Sequence, residues 1–172
     1  MNPPVSTLPT APQTRPAAPG EATRTAAARF GSGFLALLVA IVGLMTLGAL
    51  VRAHEAGLAC PDWPLCFGQL VPEMDLKVAF EWSHRALAGG ISLVFVALSV
   101  AILRRPGLAP RMRAHLIAVA VILAVQIVLG GLTVLELLAS WTVTSHLLVG
   151  NAFAVATLFT ALRLRELARP GP

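Results

Sequence analysis

The sequence predicts an all-α fold: a polytopic membrane four-helix bundle with a disordered N-terminal tail and one long outer loop. Three observations carry this. Charged residues make up 12% of the chain and the mean hydropathy is +0.78, whereas soluble domains carry about 25% charged residues. Four runs lack any Asp, Glu, Lys or Arg: Phe30–Val51, Ala86–Leu103, Leu116–Leu135 and Leu137–Leu162. Each reaches the ~18 residues at which a transmembrane helix becomes the default reading. None alternates with the period of a strand, and backbone amides in lipid must be satisfied within the segment, so helices follow.

The elements follow in order. Residues 1–29 hold six prolines and little apolar bulk, too little burial to offset ordering entropy, so they are expected to form a disordered cytoplasmic tail. A four-helix transmembrane domain is expected over 30–167, with spans at about 30–51, 82–103, 114–135 and 141–162. The first span is too long for a signal-peptide core and is expected to remain. A long loop runs from Arg52 to Glu81 and is the sizeable extramembrane element; long loops of this kind tend to carry function. "RRPGLAPRMR" links the second and third spans through two prolines, and a shorter link around Glu136 to Trp141 joins the third and fourth. Residues 168–172 form a second cytoplasmic tail. Trp82 and Trp141 mark the outer interface.

Charge sets the orientation. Arg15, Arg24, Arg29, Arg104, Arg105, Arg111, Arg113, Arg163, Arg165 and Arg169 fall on one side, ten of the thirteen basic residues. The positive-inside rule assigns that side to the cytoplasm, with both termini. Arg52, Lys77 and Arg85 lie opposite, with six of the eight acids. The net charge of +5 is thereby explained by topology; the lipid bilayer, not nucleic acid, is the partner it implies.

Two hairpins read as copies, against the alternative of chance in a chain rich in Leu, Gly and Ala. "LGALV" (47–51) and "LGGLT" (129–133) close the first and third spans; "SHRALAG" (83–89) and "SHLLVG" (145–150) open the second and fourth. Each copy places a histidine, His84 or His146, near the same face. Gly43, Gly48, Gly130, Gly131 and Gly150 allow close helix approach.

His84 and His146, on separate helices within ~10 Å of one interface, are candidate axial ligands of a haem iron. Ordinary hydrogen bonding between helices is the competing reading. Glu81 stands three residues before His84, on nearly the same helix face. There it could stabilise positive charge at a macrocycle edge or take a proton, or simply complement a helix N-terminus. Arg85 is a candidate for a propionate contact or for snorkelling to headgroups. Cys60 and Cys66, in "ACPDWPLCF", are expected to form a disulfide on the oxidising side, with a redox-active pair as the alternative. His54 and His115 flank spans and are not taken as ligands, and Gln126 is expected to bond between helices.

"GALVRAHEAGLACPDWPLCFGQLVP", "EWSHRALAGG", "QIVLGGLTVL" and "TSHLLVGNAF", in this order from Gly48 to Phe153, together resemble the haem A synthase family. The resemblance implies a membrane oxidoreductase that oxidises a methyl group of haem O to the formyl of haem A for terminal oxidases. It implies Glu81 as the catalytic residue, His84 and His146 as haem iron ligands, and Cys60 and Cys66 as the loop pair. Haem b is the implied cofactor and haem O the substrate. The family's usual eight spans form two four-helix halves, and this chain resembles the substrate-site half alone. A homodimer or a separate second half is therefore expected, with an electron acceptor the sequence does not name and haem O synthase as a candidate partner. The expected location is the plasma (inner) membrane. The rival reading is a non-catalytic haem-delivery protein for cytochrome oxidase assembly.

Overall fold

A computed structural model describes residues 20–170. Four helices follow in order: α1 (Glu21–Ala53), α2 (Leu76–Leu103), α3 (Ala109–Leu135) and α4 (Ser140–Ala168). Each is long and apolar enough to cross a membrane. At 1.5 Å rise per residue even the shortest, of 27 residues, spans about 40 Å, beyond a hydrocarbon core of about 30 Å. Apolar side chains face outward at mid-helix, Val39 and Leu93 among them at 73% exposure, as a lipid-facing surface requires. The chain is a polytopic membrane four-helix bundle. One end carries the long 54–75 loop, the other the arginine-rich link and helix termini; we call these the loop end and the arginine end.

Several boundaries differ from the sequence expectation: α3 begins at Ala109 rather than about 114, α4 runs to Ala168 rather than about 162, and two further differences have visible causes. The tail expected over 1–29 ends sooner: α1 is already helical from Glu21, and residues 1–19 lie outside the described residues. The alanines of "EATRTAAAR" contribute little bulk but are the best helix formers, and Ala27 is fully buried. Thr23 presses on Gly107 in the link between α2 and α3, leaving no room there for a Cβ. That contact fixes the first turns of α1. Likewise α2 begins at Leu76, because Asp75 caps it by accepting from the Val78 amide at 2.9 Å. Of the 168–172 tail, Ala168 closes α4 and residues 171–172 lie outside the described residues.

Helix α1 packs on α2 and α4, α3 packs on α4, and α2 meets α3 less extensively; among the described residues the backbones of neither diagonal pair come close, and α2 and α4 meet through side chains. Close side-chain packing lies in the arginine half. Phe34, Phe95 and Phe153 meet edge to face, with centroids 6.1 and 5.6 Å apart, and Met112, Leu116, Ile102 and Leu164 fill in around them. Within lipid such packing, more than water exclusion, holds helices together. Buried Thr157 and Thr160 return their hydroxyls to the carbonyls of Phe153 and Ala156. The loop half is built differently, from glycines, two histidines and a strapped loop.

Candidate functional site: two glycine-seated histidines under a disulfide loop

Gly48 and Gly130 each stand five residues before the end of their helix. A Cβ added at Gly48 would lie 2.9 Å from His84 Cε1. One added at Gly130 would lie 3.1 Å from His146 Cε1. Each imidazole of α2 and α4 is thus seated on a bare helix backbone of its hairpin partner. The main-chain carbonyls of Leu44 and Gln126, four residues before the two glycines, stand beside the same rings. Both Nδ1 atoms are buried without a hydrogen bond of standard geometry. The two hairpins therefore repeat one device, as the paired motifs suggested.

His84 and His146 belong to helices that face each other across the bundle diagonal. Their imidazoles lie within electrostatic reach of one another. Gln126 crosses from α3 to α4, its Nε2 3.3 Å from His146 Nε2, which is the interhelical bond expected of it. His54 stacks on Phe80 with centroids 4.4 Å apart, and His115 pairs with Thr160 Oγ1 at 2.8 Å. Both stay outside the pair, in agreement with the sequence reading.

Above the pair, Cys60 and Cys66 are joined as a disulfide, both sulfur-bearing residues buried. The ring they close is gripped by α2. Glu81 Oε2 accepts from the Cys60 amide at 2.8 Å, and its Oε1 accepts from Arg85 Nη2. Arg85 Nη1 donates to the carbonyls of Asp62 and Leu65, both at 2.6 Å, and Nη2 donates to that of Cys60 at 3.2 Å. Arg85 therefore has its four terminal N–H groups committed, which leaves Nε alone for the propionate contact the sequence expected. The carbonyls it meets are backbone groups, invisible in a sequence pattern. Asp62 shapes the ring from within, accepting from the amides of Phe67 (2.7 Å) and Gly68 (2.8 Å). These bonds, that of Gly68 foremost, hold its carboxyl below the ordinary 3.8.

Trp63 forms the tip of the ring and lies against α3, where a Cβ added at Gly131 would meet its indole at 3.1–3.2 Å. The loop thus reaches from α2 to α3 over the loop end. Sequence reasoning gave Gly48 and Gly130 to helix approach alone. Matching the motifs of the two hairpins, each Gly with its own His, was the signal available.

The family model described as cytochrome oxidase assembly protein (COX15-CtaA) matches residues 33–80 and 73–171. A heme A synthase of Shewanella oneidensis is 31% identical over 150 residues, covering 77% of this chain and 44% of the relative. A heme A synthase of Bacillus pumilus is 30% identical over 145 residues, 82% of this chain and 47% of the relative. A protoheme IX farnesyltransferase of Haloarcula marismortui is 39% identical over 109 residues, 62% of this chain and 23% of that protein. The chain spans about half the length, or less, of these curated relatives. No solved structure matches it. With the model match running from residue 33 to 171 over all four helices, the chain belongs to the cytochrome oxidase assembly protein family.

Proposed function

We propose that this protein is a haem A synthase-like membrane oxidoreductase that oxidises a ring methyl of haem O to the formyl of haem A, for terminal oxidase assembly. The observation that carries the reading is the repeated seat: two imidazoles from diagonal helices, each lodged where a Cβ would otherwise stand. Paired imidazoles of this kind suit axial ligation of an iron porphyrin, and bundle interiors commonly host one. The relatives named heme A synthase support the same reading.

In this reading His84 and His146 hold the iron, and bound haem supplies the iron-centred redox chemistry. Glu81, buried one turn before His84, carries the negative charge that favours a cationic macrocycle edge. Arg85 fixes the carboxylate's direction while Trp63 and the disulfide ring cover the approach. Haem b is the cofactor and haem O the substrate in a complete assembly. A second copy of the chain, or a separate four-span half, supplies the remaining helices. Electrons leave through a redox partner. The arginine end faces the cytoplasm and the loop end the outside of the plasma (inner) membrane. The similarity to a minor part of a protein named farnesyltransferase supports an association with the enzyme that makes haem O.

The test is co-expression with a haem O synthase in a host lacking haem A, followed by chromatography of extracted haems. Hydroxylated or formyl haem that disappears in Glu81→Ala, while haem binding survives, is the expected outcome. Haem bound without either product gives the chain to haem delivery instead. Unchanged low-spin absorption in both His84→Ala and His146→Ala removes the ligand assignment.

A further inference from the structure

The two histidine seats are not equal, and Gln126 makes the difference. In the matched frame of the hairpins Gln126 takes the place of Leu44, four residues before the seating glycine. A leucine side chain has no hydrogen bond to offer. Gln126 brings an amide whose Nε2 lies 3.3 Å from His146 Nε2. An amide nitrogen has no lone pair to offer, so it donates and the imidazole Nε2 accepts. His146 then carries its proton on Nδ1, which is buried with no hydrogen-bond partner. The amide is wedged in place: a Cβ added at Gly150 would meet Gln126 Nε2 at 2.9 Å. Its Oε1 is buried with no partner, so the bond to His146 is what the side chain gains from its position.

We propose that Gln126 is a positioning residue that latches His146 Nε2 and so ranks the two axial ligands. His84 becomes the standing ligand and His146 the exchangeable one. This deepens the haem-ligand reading above and rests on it. One lone pair cannot serve an amide and a metal together, so iron reaching His146 must break the latch. A typical net hydrogen bond corresponds to about a fivefold change in affinity. A site that must release its porphyrin gains from one weakened axial bond, because exchange begins there.

The test uses the purified full-length protein in detergent, titrated with haem b and followed by low-spin absorption. Gln126→Leu, which copies position 44, should bind about fivefold tighter with a larger low-spin fraction. Leu44→Gln should weaken binding by a similar factor. Gln126→Met, closer in shape, serves if the leucine variant does not fold. Unchanged or weaker binding in the Gln126 variants overturns the latch. Imidazole 15N NMR of the haem-free protein gives a readout independent of haem: His146 should be Nδ1-protonated, and its Nε2 signal should move on Gln126→Leu. A signal indifferent to that change also overturns the latch. Wild-type protein that takes up no haem sinks the ligand reading, and the NMR result then decides the latch by itself.

Discussion

Gly48 and His84 fit together with no space for a methyl group, since a Cβ on α1 at this level would come within 2.9 Å of the imidazole Cε1. The ring is stiff and bonded to an adjacent helix, so it cannot yield as a flexible chain end would. Gly48→Ala should destabilise the protein by about 1–3 kcal/mol, the usual cost of overpacking, and diminish the low-spin absorption of haem-loaded protein. Gly130→Ala, with 3.1 Å to His146, should do the same more mildly. Gly43→Ala meets nothing within 4 Å and should be neutral in both thermal unfolding and spectrum. Equal behaviour of all three variants would refute the seat.

The ion pair of Glu81 and Arg85 ties α2 to the loop. Their side chains are 5% and 15% exposed, so Arg85→Met strands a buried carboxylate at a cost of about 3–5 kcal/mol. Thermal unfolding in detergent should show the loss, and protease should cut the 54–75 loop sooner. Glu81→Gln/Arg85→Met should recover part of it, because the charge is gone while an acceptor for the Cys60 amide remains. A double variant no more stable than Arg85→Met would show that charge is not the cause.

Asp62 gives the loop an acid limit. The amides of Gly68 and Phe67 lower its carboxyl below 3.8. A lowered folded value means the stabilisation is complete above the unfolded value and fades as pH falls through the folded one. With Trp82 and Trp141 replaced by Phe, Trp63 emission should hold steady from about pH 7 to 5 and shift to the red below about pH 4. Asp62→Asn should lack this acid step; a step that persists there assigns it to another group.

Much of this architecture is legible in the sequence. Charge-free runs give the four spans, and the two Ser-His motifs give the imidazole pair. The helix ends are not legible in the same way. Ala26 and Ala27 have too little bulk to announce burial, and the nearby Thr23 meets a link some eighty residues away at Gly107. Arg85 is a similar case: besides Glu81 its partners are three carbonyls, and every residue has one. Register across helices decides which glycine meets which histidine, and only an assembled bundle sets register.

The uneven distribution of packing along the bundle has a consequence for occupancy. Phe34, Phe95 and Phe153, with Met112 and Leu116 of α3, knit the four rods in the half away from His84 and His146. Cohesion and the proposed haem site are therefore housed apart. A receptacle made this way keeps its walls upright whether filled or vacant, so loading and unloading need not cost the molecule its shape.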